Sequence, residues 1–168
     1  MIRIVVEDLA FAEVDAIVRP ADAALEPVTT AAARVDRQAG AGFAAQRRIQ
    51  TLLAPGAAVV TGAGELPAKF VVHAVIQSAD QPVTADAVRR ALTSAWQRIA
   101  QWQFANVAMP LIGAGAGQLP IDEAARLLRE TFNDPARDPG FPTALTIVVD
   151  QERDRAEVDA VFAPRGRP

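Results

Sequence analysis

A glycine-rich segment between a predicted strand and a predicted helix is the part of this sequence best suited to binding an anion. The run from Gly113 to Gly117 reads Gly-Ala-Gly-Ala-Gly. Because glycine has no Cβ, successive backbone N–H groups can turn toward one anion, and the dipole of the following helix favours negative charge there. The pattern predicts a phosphate-binding loop, and the alternative is a strand-to-helix turn that binds nothing. The candidate ligand-binding residues of this segment are Ile112, Gly113, Ala114, Gly115, Ala116 and Gly117.

This segment differs from the common nucleotide-binding motifs. No Gly-Lys-Ser/Thr follows the glycines, as it does in the phosphate loop of nucleoside triphosphatases. The glycine spacing also departs from the dinucleotide-binding fingerprint, and the acidic residue at a following strand end is missing. Triphosphate hydrolysis is therefore not expected. A second glycine turn at 61–67 suits a tight link between two strands and is interpreted as structural.

Composition excludes several kinds of chemistry. The chain has no cysteine and one histidine, His73, so disulfides, zinc-thiolate sites, iron–sulfur clusters and multi-histidine metal sites are ruled out. We predict no metal and no cofactor. His73 falls inside a predicted strand, where a histidine with satisfied hydrogen bonds is a simpler interpretation than a catalytic one.

Charge and hydropathy bound the partners and the location. Seventeen basic against 20 acidic residues give a net charge of −3, so non-specific binding to nucleic acid is not expected. The N-terminus lacks the features of a signal peptide, and no uncharged run reaches the roughly 18 residues of a membrane span. We predict a cytoplasmic protein that does not bind membranes.

Short β-branched runs alternate with longer runs of helical period, which predicts an α/β domain over 1–164 and a disordered tail at 165–168. The predicted strands are 2–6, 16–19, 57–61, 70–76, 106–109 and 145–150. The predicted helices are 30–38, 43–53, 84–102, 121–132 and 154–162. Thr84 is in place to cap the third helix.

Three blocks, in this order and spacing, resemble the macro domain family. They are Val-Asp-Ala-Ile-Val at 14–18, the run 55–75, which contains Thr-Gly-Ala-Gly-Glu-Leu-Pro and Val-His-Ala-Val, and the glycine-rich block 110–120. The resemblance covers nearly the whole chain. It implies a three-layer α/β/α sandwich with a mixed, mostly parallel six-stranded sheet that binds ADP-ribose in a cleft at the strand ends. Some members of the family also hydrolyse ADP-ribosyl or O-acetyl-ADP-ribose esters.

The resemblance assigns roles to two parts of this sequence. Asp8 occupies the position of an aspartate that accepts a hydrogen bond from the adenine N6 amine, with Leu9 beside the adenine. The backbone amides of 113–117 would wrap the diphosphate and the distal ribose. A solvated or capping role at a strand end is the alternative for Asp8.

Other positions depart from the family pattern. Arg-Pro-Ala-Asp at 19–22 replaces Asn-Ala-Ala-Asn, and Pro-Val-Thr-Thr at 27–30 replaces the first glycine loop. The aspartate that follows that loop in hydrolytic relatives is Ala31 or Ala32 here. The candidate ligand-binding residues in these blocks are Arg19, Asp22, Val28, Thr29 and Thr30.

An ester hydrolase must orient or deprotonate a water molecule, which alanine cannot do. Asp22 is the weak candidate for a general base, with a loop role as the simpler interpretation. Thr29 and Thr30 can donate to a phosphate, but a helix N-cap is the simpler interpretation of both.

The predicted function is binding of ADP-ribose or a related ADP-ribosyl nucleotide, with ADP-ribose or an ADP-ribosylated substrate as partner. The alternative is an ADP-ribosyl-ester or O-acetyl-ADP-ribose hydrolase. The second alternative is a macro fold that has lost its pocket and serves as a structural or interaction domain.

Overall fold

The computed structural model describes residues 1–115 and 118–164, and the predicted tail at 165–168 lies outside them. The strands are β1 Ile2–Val6, β2 Ala16–Asp22, β3 Ala58–Gly62, β4 Phe70–Gln77, β5 Asn106–Met109 and β6 Ala144–Val149. The helices are α1 Thr30–Ala39, α2 Ala41–Gln46, α3 Ala85–Trp102, α4 Ile121–Phe132 and α5 Glu152–Phe162, with a short 3-10 turn at Leu9–Phe11.

The strands form one sheet in the order β1-β6-β5-β2-β4-β3. Neighbouring strands are parallel except β3 and β4, which are antiparallel and joined through the second glycine turn. The mixed, mostly parallel six-stranded sheet is therefore confirmed, and so is the tight link between these two strands.

Alternate strand residues pack against different helices, as the two-residue side-chain period of a strand requires. On one face, Val18 and Val72 belong to a core that includes Leu92 of α3 and Leu128 of α4. On the other face, Ile17 belongs to a second core formed with α1 and α2. The result is a three-layer α/β/α sandwich.

The two strands at the centre of the sheet separate toward their carboxyl ends. The β2–β5 ladder pairs Ala16 with Val107 and Ile17 with Ala108 and goes no further, while β2 continues beside β4 to Asp22. The sequence predicts this strand only as far as Arg19. From Val18 to Pro20 the strand pairs with β4 alone, which accommodates the missing N–H of Pro20.

The second predicted helix, 43–53, is wrong in its extent. Helix α2 ends at Gln46, and Leu53 N–H instead donates to the Ala23 carbonyl at 2.9 Å. Ile49 and Leu53 pack against a small third core around Leu25. Their apolar spacing fits a helix, but a non-local backbone bond and tertiary packing determine this segment.

Helix α3 agrees closely with its prediction. The Thr84 hydroxyl accepts from Ala87 N–H at 3.1 Å, which confirms the predicted cap. The helix ends at Gln103, whose φ of 56° is left-handed. Across the described part of the chain, no helix is both long and apolar enough to cross a membrane.

Candidate ligand-binding cleft

A cleft of about 600 Å³ opens where β2 and β5 separate, and Pro20 and Pro110 lie in its wall. It extends past the carboxyl ends of β6 and β1, where Val149 and Glu7 line it. Ligands of open α/β sheets bind outside the carboxyl ends of the strands. The cleft is therefore the place where the fold favours a ligand.

The start of α1 forms one wall. Thr29 Oγ1 accepts from Ala32 N–H at 3.1 Å, so its predicted role as a helix cap is confirmed. Thr30 and Ala31 follow in the first turn, where N–H groups have no acceptor within the helix, and both residues line the cleft. Together with Val28, these residues present a helix N-terminus that favours an anion.

Gly115 faces this wall from the other side of the cleft. Its φ of 142° disfavours any residue with a side chain. A Cβ placed on it would lie 3.5 Å from Thr29 Cγ2, so a side chain at this position would contact the start of α1. We call Thr29, Thr30 and Gly115 the phosphate end of the cleft.

The remaining residues of the glycine loop have other surroundings. Ile112 and Gly113 are buried and do not line the cleft, and a Cβ on Gly113 would lie 2.7 Å from Val88 Cγ2 of α3. Ala114 does line it. The predicted ligand contacts of Ala116 and Gly117 fall outside the described residues.

Gln118 forms hydrogen bonds with residues 113–115 of the glycine loop. Its backbone N–H donates to the Gly115 carbonyl at 3.1 Å. With the side-chain nitrogen toward the loop, the amide donates to the carbonyl oxygens of Gly113 and Ala114 at 3.2 Å each. These bonds connect Gln118 to residues 113–115 of the loop.

The opposite end of the cleft is rich in carboxylates. Glu7, Asp150 and Asp154 line it, and Asp8 stands beside Leu9, which also lines it. Asp8 Oδ1 accepts from Ala10 N–H at 3.0 Å and caps the short 3-10 turn. We call this region, defined by Glu7, Asp8, Asp150 and Asp154, the base end.

Arg34 of α1 reaches into the base end and was not anticipated from the sequence. Its Nη2 lies 3.3 Å from Asp150 Oδ1, and its Nε lies 3.9 Å from Asp8 Oδ2. Arg34 follows Thr30 by four residues, so the two share a helix face. That spacing was the signal that could have identified it.

Arg19, in contrast, does not reach the cleft. Its side chain is fully buried, donates to the carbonyl oxygens of Leu25 at 2.6 Å and Pro20 at 3.0 Å, and pairs with Asp36 at 3.2 Å. Its prediction as a ligand contact is replaced by a structural role, because its donors are directed at the backbone that precedes α1.

This buried arginine belongs to a network of four charges. Arg47 contacts Asp36 at 3.1 Å and Glu26 at 2.9 Å. Burial lowers the pKa of Arg19 to about 10 and raises the pKa of Asp36. The hydrogen bond from Arg47 lowers the pKa of Glu26. Two arginines thus balance two carboxylates in the layer that supports the cleft.

His73 lies next to Arg19 in the sheet register and is fully buried. Its Nε2 is 2.8 Å from Thr61 Oγ1, and its ring stacks on Phe43 at 5.7 Å. Burial, together with the positive charges of Arg19 and Arg47, holds its pKa well below 6.5. His73 is therefore a buried strand residue, as predicted, but only Nε2 has its expected hydrogen bond, since Nδ1 is buried without a partner among the described residues.

Comparison with known proteins fits this architecture. The family model described as "Macro domain" matches residues 18–128. The chain belongs to the macro domain family.

Relatives of this macro domain differ in how much of their length it covers. It is 34% identical over 143 residues to an O-acetyl-ADP-ribose deacetylase of Cronobacter sakazakii, covering 79% of this chain and 77% of the relative. It is 28% identical over 121 residues to an uncharacterized protein of Mycobacterium tuberculosis, covering 72% of this chain. It spans about a third of that mycobacterial protein's length, since the match covers 34% of it.

Solved structures share the fold. The Oceanobacillus iheyensis macrodomain with MES bound superposes with a TM-score of 0.84 at 19% identity, covering 96% of this chain and 89% of the other. The Trypanosoma brucei macrodomain in complex with ADP-ribose gives 0.82 at 17% identity, covering 96% and 69%. At these identities the likeness establishes the fold.

Asp22 of this macro domain lies at the end of β2, outside the residues that line the cleft. Its Oδ1 accepts from the N–H groups of Ala24 and Glu26, both at 2.9 Å. This is the loop role that the sequence favours for Asp22. Ala31, one of the two positions expected for a hydrolytic aspartate, lines the cleft without a polar side chain. Over 1–115 and 118–164, no group of three or more histidine or acidic side chains is placed to hold a metal ion.

Proposed function

We propose that this macro domain binds ADP-ribose, or a nucleotide or protein that carries an ADP-ribosyl group, in the cleft. The observation that carries the proposal is that Gly115 lines the cleft opposite the N-terminus of α1, where a Cβ added to Gly115 would lie 3.5 Å from Thr29 Cγ2. Helix N–H groups on one side and a glycine backbone on the other suit a diphosphate. The cleft volume of about 600 Å³ lies within the usual range for small-molecule sites.

The charges favour one orientation of the ligand. None of the described lining residues at the phosphate end is acidic, whereas Glu7, Asp150 and Asp154 line the base end. A diphosphate is repelled by those carboxylates and is accommodated beside Thr30 and Gly115. The base then lies toward Asp8 and Leu9, in agreement with the roles that the resemblance implies.

The arrangement disfavours the lost-pocket alternative. That hypothesis expects Arg19 or Val28 to fill the cleft. Arg19 is held beneath the loop by Asp36 and Leu25, and Val28 lines the cleft while leaving it open. The Pro-Val-Thr-Thr replacement therefore changes the wall without closing the site.

The test is isothermal titration of the purified protein with ADP-ribose, compared with Gly115→Glu. The introduced carboxylate stands at the phosphate end and its Cα must hold an unfavourable φ, so we expect binding to disappear. Gly42→Glu is the matched control, because Gly42 is an exposed helical residue with open space around it. We expect wild type and Gly42→Glu to bind with about −8 kcal/mol, which is micromolar affinity. No heat from wild type up to millimolar ADP-ribose would overturn the proposal.

A second candidate function is hydrolysis of O-acetyl-ADP-ribose, favoured by the names of two relatives, from Cronobacter sakazakii and an Enterobacter species. The sequence offers Asp22 as the general base, although Asp22 lies outside the residues that line the cleft. Asp22→Asn keeps a side-chain oxygen for the N–H groups of Ala24 and Glu26 but removes the base. Release of acetate by wild type that is lost in Asp22→Asn with ADP-ribose affinity retained would support hydrolysis. Acetate release by wild type at the rate of a protein-free blank would exclude it.

A further inference from the structure

The base end lacks the flat ring on which a nucleobase commonly stacks. Among the described residues that line the cleft there is no Phe, Tyr or Trp. Leu9, Val148 and Val149 supply apolar surface. The planar group within reach is the guanidinium of Arg34, the single cationic side chain among the described lining residues.

Arg34 bridges two elements that are distant in the sequence. Its contacts are Asp8, which caps the 3-10 turn after β1, and Asp150, which follows the end of β6. The closest distances, 3.9 and 3.3 Å, are those of loose ion pairs. The guanidinium is thus held across the base end by carboxylates on both sides.

Part of the Arg34 side chain is also available to a ligand. Its side chain is 39% exposed, while its Nε is buried and has no hydrogen-bond acceptor among the described residues. The exposed part of this side chain lines the cleft, and arginine planes stack on nucleobases and aromatic rings. Both features suit a residue that receives a base.

We propose that Arg34 determines base recognition in this cleft by stacking its guanidinium plane on the purine of the bound nucleotide. The inference rests on the proposed function and identifies the chain's own residue for the base. Arg34 is one helical turn, about 5.4 Å along α1, beyond Thr30, which stands at the phosphate end. Asp8 and Asp150 balance its charge, so its part in binding is to present a plane rather than to neutralise phosphate.

Two substitutions separate the plane from the charge. Arg34→Ala removes both, and Arg34→Lys keeps the charge but removes the plane. We expect either to weaken ADP-ribose binding about tenfold, within the range found when a base loses its stacking partner. Arg37→Ala is the matched control on the same helix, because Arg37 is exposed and does not line the cleft. We expect it to bind like wild type.

Inorganic pyrophosphate, which has no base, provides the second measurement. It is titrated into wild type and Arg34→Ala, and the NMR chemical shifts of the Thr30 and Gly115 backbone amides are recorded. We expect pyrophosphate to shift these amide signals to the same extent in both proteins.

Each other outcome overturns the assignment. Wild-type affinity for ADP-ribose in Arg34→Lys would show that charge alone matters. A pyrophosphate response that falls in Arg34→Ala would place the arginine on the phosphates. If Arg34→Ala binds ADP-ribose with wild-type affinity, Arg34 serves only its ion pairs with Asp8 and Asp150 and does not contact the base. Absence of ADP-ribose binding in wild type would instead overturn the proposed function, and the inference with it, before any variant is compared.

Discussion

Arg19 of β2 and Asp36 of α1 form an ion pair of 3.2 Å beneath the loop that leads into the cleft. Arg19 also donates to the Leu25 carbonyl at 2.6 Å, and Arg47 approaches the same oxygen at 3.4 Å. Leu25 has a left-handed φ of 62°, which is unfavourable for a leucine. The buried arginine therefore supports a strained loop whose next residues form the phosphate end.

Arg19→Ala is expected to destabilise the protein strongly. It leaves the Leu25 carbonyl with only the longer contact to Arg47, removes the Arg19 bond to the Pro20 carbonyl and removes a partner of Asp36, and breaking a buried pair typically costs about 3 kcal/mol or more. Urea unfolding measures the change. Arg155→Ala is the matched control, because Arg155 and Asp159 form an exposed pair at 3.8 Å and such pairs contribute less than about 1 kcal/mol. Equal losses in the two variants would contradict the structural role of Arg19.

Stability is expected to fall as the pH is lowered below about 6.5, the pKa of an unfolded histidine. The pKa of His73 is lower in the folded protein, so the unfolded chain takes up a proton first. Protonation therefore favours unfolding, and the stabilisation present above pH 6.5 is lost on acidification, at up to about 1.4 kcal/mol per pH unit. Urea unfolding between about pH 7.5 and 5.5 measures the slope above the usual carboxylate range.

The control for this pH dependence is His73→Gln, whose amide can keep a hydrogen bond to Thr61. His73 is the chain's single histidine, so the slope in this window should flatten in the variant. A proton titration of the His73 ring with a pKa at or above 6.5 would refute the assignment.

The local sequence pattern predicts the bounds of those helices and strands in which the spacing of the buried residues matches the helical or strand period. Helix α4 has the predicted bounds, 121–132, because its apolar stripe packs against α3 and α5 and belongs to the larger core. Strand β5 likewise has the predicted bounds, 106–109. The helix predicted beyond Gln46 is wrong because the backbone there bonds to Ala23, a partner that no local pattern specifies.

The two arginines near the cleft show where site prediction from sequence ends. Arg19 stands in the block that departs from the Asn-Ala-Ala-Asn pattern and is therefore a predicted ligand contact, whereas Arg34 stands on a helix outside the blocks that carry the resemblance. Their environments are set by carboxylates distant in sequence: Asp36 and Glu26 balance Arg19 and Arg47, and Asp150 attracts Arg34. Residue type and spacing cannot distinguish a buried arginine from one in a cleft when the partners come from other elements.

Thr29 and Thr84 cap their helices in the same way, so substituting each of them distinguishes an effect on stability from an effect on binding. Thr29 caps α1 at the phosphate end, and Thr84 caps α3 outside the residues that line the cleft, each with a hydroxyl 3.1 Å from its backbone donor. Loss of such a cap costs about 1 kcal/mol, so Thr29→Ala and Thr84→Ala should lower the free energy of unfolding similarly. Thr29→Ala should in addition weaken ADP-ribose binding, because the first turn of α1 holds the N–H groups of the phosphate end. Urea unfolding and calorimetric titration of both variants measure the two effects, and equal affinities in the two would remove the α1 terminus from the site.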